Sequence, residues 1–178
     1  MYPYLRWLSV VFRRRKHRGV DLLFQDSRLR FHVWPGDLDF FGHMNNGRYL
    51  TLMDSGRWDL ISQIGLLSHM KKNRWITVLG GATIRFKRPL RPFQRFDLIT
   101  RILGWDAKWF YVEQRFESDG KIVADAFVRG IFRAPGKSIP SSEVLGAIGY
   151  TQPSPELPTH VVTWSRLQDE TPLSAQRV

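Results

Sequence analysis

The sequence contains one long run with the spacing of a helix, followed by four long runs with the spacing of strands. From Asn46 to near Gly65, apolar or small residues recur at steps of three or four, which predicts one continuous helix. Apolar and polar side chains alternate before this helix at residues 28–34, and after it at residues 83–90, 95–103, 108–118 and 121–132. This order predicts an α+β domain in which one helix covers one face of an antiparallel sheet, and in which the four strands after the helix form a meander.

Three local features refine this prediction. Asp119-Gly120 joins the last two alternating runs and is typical of a hairpin turn. Gly56 costs a helix roughly 1 kcal/mol relative to alanine, so its position indicates close packing of the helix backbone on the sheet. Residues 140–149 predict a short helix capped by Ser141 or Ser142.

The same patterns divide the chain into three parts. Residues 1–24 form a basic amphipathic arm, residues 25–150 the domain, and residues 151–178 an extension without a core of its own. Because one helix leaves much of the sheet edge open, and open edges are usually covered, we expect at least a dimer.

The charge of the chain is concentrated near its beginning. The net charge is +11, and the run "FRRRKHRG" holds five of the 27 Lys and Arg residues directly after an apolar, aromatic segment. Residues 1–18 therefore predict peripheral contact with an anionic membrane, or else a solvated arm or a segment packed on the edge of the domain. They are too short to cross a bilayer and do not match a cleaved signal peptide. No basic stripe with stacking aromatics suggests a nucleic-acid partner.

The segment "DLDFFGHMNN" carries the candidate chemistry. Asp39 precedes the helix, and Asn46 lies at its first turn, where unpaired backbone N–H groups can stabilise an oxyanion. If the loop turns back at Gly42, a carboxylate and an N–H donor face one carbonyl, which is sufficient for acyl transfer. Phe40 and Phe41 would exclude water and provide an apolar wall.

A structural interpretation competes with this one. Asp and Asn before a helix are commonly caps, and His43 is more often a structural than a catalytic histidine. We expect no metal site, because His43 with Asp37 or Asp39 lacks further ligands, and the absence of cysteine removes thiolate chemistry and fits a reducing cytoplasm.

The stretch "WPGDLDFFGHMNNGRYLTLMDSGRWDL" resembles the motif of 4-hydroxybenzoyl-CoA thioesterase-like proteins of the hotdog superfamily, and the similarity extends over residues 28–132. It implies a hotdog fold, in which an antiparallel sheet of about five strands wraps around one long central helix. It also implies that Asp39 is the nucleophile or general base and that the Asn46 N–H polarises the thioester carbonyl. Supporting roles then fall to Gly42, His43, Asn45 and Tyr49, and structural roles on the helix to Asp54 and Arg57.

The resemblance predicts a cytoplasmic acyl-CoA thioesterase that is a homodimer or a dimer of dimers. The thiol carrier is coenzyme A or acyl carrier protein, and coenzyme A enters as part of the substrate, not as a separate cofactor. Arg85, Lys87 and Arg88, with Arg91 nearby, are the candidates for binding its phosphates.

Two other functions on the same fold remain open from the sequence. One is a non-catalytic module that binds acyl groups or lipids. The other is a hydratase or dehydratase in which His43 is catalytic. Nucleic-acid binding is a third possibility that only the positive charge supports.

Overall fold

In the computed structural model, which describes residues 19–170, the long helix lies against one face of an antiparallel sheet. The helices are α1 (Asn46–Gln63), α2 (Leu67–Asn73), α3 (Ser141–Ala147) and α4 (Thr159–Glu170). The strands are β1 (Ser27–His32), β2 (Ile76–Phe86), β3 (Arg95–Trp105), β4 (Phe110–Ser118), β5 (Lys121–Ala134) and β6 (Lys137–Ile139). Short 3-10 turns at Val20–Leu22 and Pro35–Asp37 lie on either side of β1.

The strand order in the sheet is β1-β3-β4-β5-β2, and the short β6 pairs with β5. All pairings are antiparallel. The predicted meander of four strands is wrong at its first strand: β3, β4 and β5 form a meander, but β2 pairs with β5 at the far edge of the sheet and not with β3. The predicted α+β class, with about five main strands and one long helix, is confirmed.

The strand nearest the site differs most from its predicted bounds. We predicted a strand over residues 83–90, but β2 begins at Ile76 and ends at Phe86. Lys87 and Arg88 therefore lie beyond its end, where both backbone N–H groups donate to the Val123 carbonyl, at 2.8 and 3.1 Å.

The core lies between α1 and the inner face of the sheet, and Gly56 marks their closest approach. A Cβ atom at Gly56 would lie 2.3 Å from Thr100 Oγ1 and 2.8 Å from Gln114 Nε2, closer than real Cβ contacts. The prediction of tight helix packing at Gly56 is confirmed. The alternation predicted for β3 is also confirmed, because Phe96, Leu98, Thr100 and Ile102 are all buried.

After the central helix, one helix was not predicted and one predicted helix cap is absent. Helix α2 was not predicted, because seven residues are too few to show a helical period. The prediction that Ser141 or Ser142 caps α3 is wrong. Its N-cap is Pro140, which forms no side-chain cap, and the Ser141 hydroxyl instead donates to the Asp106 carbonyl.

The C-terminal extension contains a helix that the sequence analysis did not predict. Helix α4 packs on the outer face of the sheet, opposite α1, with Val161 fully buried and the Trp164 ring 5.0 Å from that of Phe127. The helix buries Val161 and Ser165, so this part of the extension packs on the domain.

The predicted N-terminal arm, residues 1–24, lies mostly outside the described residues. Its described part is not a separate arm, since Leu23 is fully buried in the core and Phe24 stacks on Trp105 at 6.2 Å. The Gly19 N–H donates to the Gln63 carbonyl at 3.2 Å, so the chain enters the described fold at the C-terminal end of α1. The amphipathic pattern of residues 1–18 stays a prediction.

Candidate active site

The loop before α1 closes on itself through backbone hydrogen bonds. The Asp39 N–H donates to the His43 carbonyl at 2.8 Å, and the Asn45 N–H donates to the Asp37 carbonyl at 2.8 Å. Gly42 has a φ of +74°, a left-handed conformation that glycine adopts without strain. The predicted turn at Gly42 is therefore present, and it brings Asp39 back beside the residues that begin the helix.

The carboxylate of Asp39 is held by its own loop through one oxygen. Its Oδ1 accepts hydrogen bonds from the N–H groups of Phe41 at 2.9 Å and His43 at 3.2 Å. Within residues 19–170, Oδ2 accepts no hydrogen bond. Asp39 is half-buried, so its second oxygen is oriented by the first and remains available to a substrate or a water molecule.

Asn45, and not Asn46, caps the central helix. Asn45 is the N-cap of α1, and its Oδ1 accepts from the Gly47 N–H at 2.8 Å. Asn46 is the first helical residue, and the N–H of a first helical residue has no acceptor within the helix. The structural cap interpretation is therefore correct for Asn45, while the Asn46 N–H has the position needed to bind an oxyanion.

The aromatic residues in and near the loop differ in how deeply they are buried. Tyr49 is buried, with its ring 5.1 Å from Phe86 and 4.9 Å from Phe116, and burial raises the pKa of its hydroxyl to about 12. Tyr49 is therefore a neutral core residue, and its support of the loop stays a prediction. Phe40 and Phe41 are 107% and 86% exposed, so a single chain does not form the apolar wall that we expected from them.

The predicted phosphate-binding residues lie at the end of β2 and just beyond it, and two of them pair with Asp125. Arg85 pairs with Asp125 across β2 and β5, and Arg85 Nη2 lies 2.5 Å and Lys87 Nζ 3.1 Å from the same Asp125 oxygen. Although partial burial acts to raise it, hydrogen bonds from these two cations lower the pKa of Asp125. Arg85 faces the outer side of the sheet near His160, opposite α1. Phosphate binding by Arg85, Lys87 and Arg88 stays a prediction.

A buried polar network under α1 escaped the sequence analysis. Gln114 is fully buried, and its Nε2 donates to the Met53 carbonyl at 2.9 Å and to Thr100 Oγ1 at 3.0 Å. Its Oε1 accepts from Arg57 Nη1 at 2.9 Å, and Arg57 also pairs with Asp54. Burial lowers the pKa of Arg57. The sequence could have indicated this network, because Thr100 and Gln114 are polar residues at inward positions of adjacent predicted strands.

The main apolar cavity lies along the second half of α1, well away from Asp39. Its volume is about 120 Å³, and its walls come from α1, β2, β4, β5 and α3. Among residues 19–170, Asp54 and Arg57 are the only charged residues that line it, and they pair with each other. Neither Asp39 nor Asn46 lines it, so in a single chain the candidate chemistry and the main cavity are separate.

Neither a membrane-spanning helix nor a cluster of metal ligands occurs in the described part of the chain. No helix within residues 19–170 is both long and apolar enough to cross a bilayer. Over the same residues, no three His, Asp or Glu side chains converge on one point.

A long helix held by an antiparallel sheet, with an acid-bearing loop at the helix start, defines a hotdog-fold protein. The chain belongs to the thioesterase-like superfamily, whose family model matches residues 33–164. The predicted hotdog fold and the thioesterase class are confirmed.

Similar proteins agree with this assignment. Protein THEM6 of Xenopus laevis is 35% identical over 172 residues, which cover 95% of this chain and 81% of that protein. Protein THEM6 of Danio rerio is 46% identical over 126 residues, covering 70% and 62% of the two chains. The solved structure of a gentisyl-coenzyme A thioesterase superposes with a TM-score of 0.62 at 21% identity, covering 67% of this chain and 99% of that one.

Proposed function

We propose that this chain hydrolyses acyl-CoA thioesters to a free acid and a thiol, with Asp39 and the Asn46 N–H as the catalytic groups. The observation that carries the proposal is the closed loop: the hydrogen bonds Asp39–His43 and Asn45–Asp37 hold a partly free carboxylate in the loop that leads directly to the Asn46 N–H, which has no acceptor within the helix. A negative base and a positive helix end can then act on one thioester carbonyl.

Asp39 and the Asn46 N–H can hydrolyse a thioester by either of two routes. In the first, Asp39 accepts a proton from water as the water oxygen bonds to the carbonyl carbon. The resulting oxyanion accepts a hydrogen bond from Asn46 N–H. When the C–S bond breaks, the thiolate leaves and takes the proton from Asp39. In the second, Asp39 attacks the carbonyl directly, thiolate leaves, and water hydrolyses the resulting anhydride. Both routes need the same two groups.

A second copy of the chain would complete the site. Strand β2 pairs only with β5 within residues 19–170, and its other edge is unpaired. Ile76 on this strand is 60% exposed, an apolar side chain that suits association of two sheets. We infer a homodimer through β2, which would also cover the exposed Phe40 and Phe41; pairing of such dimers would give the dimer of dimers.

Other parts of the proposal rest on charge and composition. Arg85, Lys87 and Arg88 are our candidates for binding the phosphates of coenzyme A, because surface cations attract a polyanionic substrate. The absence of cysteine supports a cytoplasmic location, and the basic residues before Gly19 support contact with an anionic membrane.

The test is thiol release from a panel of acyl-CoAs by wild type and Asp39→Asn. The variant should keep its thermal unfolding temperature, because the amide oxygen can still accept from Phe41 and His43, and should lose activity by about 100-fold or more. Asp119→Asn is the matched control, because the same substitution is made in a turn far along the chain. Equal rates for wild type and Asp39→Asn would refute the mechanism.

The separation of the main cavity from Asp39 favours one alternative, a non-catalytic protein that binds acyl groups. Saturable binding of acyl-CoAs without thiol release by the wild-type protein would support it.

A further inference from the structure

The apolar cavity along α1 has the lining of a site for a hydrocarbon chain. Its walls include Leu60, Ile61 and Val128, and helix α3 closes it with Val144 and Leu145. The two charged residues of its lining, Asp54 and Arg57, form an ion pair with each other. The second guanidinium nitrogen of Arg57 donates to Gln114. A hydroxyl or carboxylate buried here would find few free partners, which is unfavourable.

The position of the cavity sets the length of the chain that can reach it. The lining begins at Asp54, eight residues along α1 from Asn46, and continues to Ile64. At 1.5 Å per residue, the distance along the helix from Asn46 to the start of the cavity is roughly 12 Å, and the lined part extends for roughly 15 Å more. An extended chain advances about 1.2 Å per bond, as an extended backbone does. An acyl group therefore needs about ten carbon atoms before it enters the cavity.

The helix residues between the two places lie along one stripe of α1. Leu50 is 42% exposed and stands one helical turn after Asn46, and Asp54 stands one turn after Leu50. The inward residues of β2 from Phe86 to Leu79 run beside this stripe toward the cavity, since Phe86 packs on Tyr49 at one end and Leu79 lines the cavity at the other.

From this geometry we propose that the substrate class is long-chain aliphatic acyl thioesters, with the distal part of the chain bound in the α1 cavity. This rests on the proposed function, because it takes the thioester carbonyl to lie at the Asn46 N–H. Short acyl groups and hydroxylated aromatic acyl groups end before the cavity and gain nothing from its apolar walls.

Gly130 offers a way to fill the cavity. It lines the cavity on β5, and a Cβ atom built there meets only the Val78 carbonyl within 4 Å, at 3.3 Å. A leucine at this position would occupy space that the acyl chain needs. Gly146 on α3 is the matched control, because a Cβ atom there meets nothing within 4 Å and the residue does not line the cavity.

The experiment measures kcat/KM for butanoyl-, octanoyl-, dodecanoyl-, hexadecanoyl- and 4-hydroxybenzoyl-CoA below their micelle concentrations. Wild type should favour the two longest chains over octanoyl-CoA by at least about tenfold, because a few more buried methylene groups account for such a factor. Gly130→Leu should reduce the ratio of hexadecanoyl to butanoyl rates by about tenfold or more, while Gly146→Leu keeps the wild-type ratio.

The outcomes separate this inference from the proposed function. Turnover that is highest for butanoyl- or 4-hydroxybenzoyl-CoA overturns the long-chain assignment and leaves the thioesterase standing. An unchanged ratio in a Gly130→Leu protein that unfolds at the wild-type temperature also overturns it. If Gly130→Leu does not fold, Val144→Phe provides the same test from α3. Saturable hexadecanoyl-CoA binding that Gly130→Leu weakens, without turnover of any thioester, supports the cavity assignment and overturns the hydrolysis.

Discussion

Arg129 Nη2 lies 2.9 Å from the carboxylate of Asp169, and this pair fastens helix α4 to the outer face of the sheet. Arg129 is buried, and its guanidinium lies 4.4 Å from the centroid of the Trp109 ring. Its Nη1 also donates to Ser165 Oγ at 3.0 Å. One planar cation thus joins β5 to two turns of α4, which explains why an extension of polar composition packs on the domain.

We predict that Arg129→Lys weakens this attachment. Lysine cannot form the forked contacts to Ser165 and Asp169 together, so the free energy of unfolding should fall by about 1–3 kcal/mol. Urea unfolding gives the magnitude, and hydrogen exchange should show faster opening of α4 than of α1. Asp169→Asn is the control, since it removes only the exposed partner and should cost under about 1 kcal/mol. Equal losses in the two variants would contradict the central role of Arg129.

A second prediction concerns the contact between Gly56 and Thr100. Alanine favours helix formation over glycine by roughly 1 kcal/mol, but the added methyl group would overlap Thr100 Oγ1 and Gln114 Nε2. Gly56→Ala should therefore lower the free energy of unfolding by about 1–3 kcal/mol, as overpacking does. Gly146→Ala meets nothing and should raise it by a few tenths to about 1 kcal/mol. Thermal unfolding of both variants shows whether steric overlap or helix propensity determines the change in stability at position 56.

A third prediction concerns alkaline pH and Tyr49. Burial raises the pKa of this hydroxyl from 10 to about 12, while the Leu90 backbone hydrogen bond acts in the opposite direction. The folded pKa is above the unfolded one, so the stabilisation is complete below pH 10 and is lost as the pH rises toward 12. Tyr49→Phe removes the ionisable group, so its free energy of unfolding should fall less between those pH values than that of wild type. Parallel curves for the two proteins in alkali would contradict a buried, neutral Tyr49.

The fold was predictable where the pattern is local. Helix α1 and the meander follow from periodicity, and Gly56 and the Gly42 turn follow from what glycine permits. Helix α4 was not predictable in this way, because its partners are Arg129 and Tyr111, outward residues of strands far earlier in the sequence. Alternation identifies such residues as solvent-facing, and only the folded chain shows that they are covered.

The candidate site, too, was predictable only where its residues are close in sequence. Asp39 and Asn46 are seven residues apart, so one turn and one helix start suffice to predict their proximity. The cavity is built from Leu23, Val128 and Leu145, which only the complete fold brings together. The ion pairs of Arg85 and Lys87 with Asp125 likewise depend on the register of β2 and β5, which the sequence pattern alone did not give.

The fourth prediction separates the backbone of Asn46 from its side chain. The proposed oxyanion donor is the N–H group, so Asn46→Ala should keep nearly the wild-type kcat. Asn46→Pro removes that N–H at the first helical position, where proline is well tolerated. The preceding Asn45 has φ −59° and ψ 137°, the extended conformation that a residue before proline prefers. The proline variant should therefore fold with its helix intact.

If the Asn46 N–H stabilises the oxyanion, Asn46→Pro should lower kcat by about 100- to 1000-fold, the usual effect of removing one such donor. Far-ultraviolet circular dichroism and the unfolding temperature establish that the helix persists. Asn45→Ala gives the opposite profile: it removes the cap and costs about 1 kcal/mol of stability, but leaves the donor in place. A proline variant that folds and turns over at the wild-type rate would exclude this N–H from the reaction, because no other substitution at Asn46 removes the group while preserving the helix start.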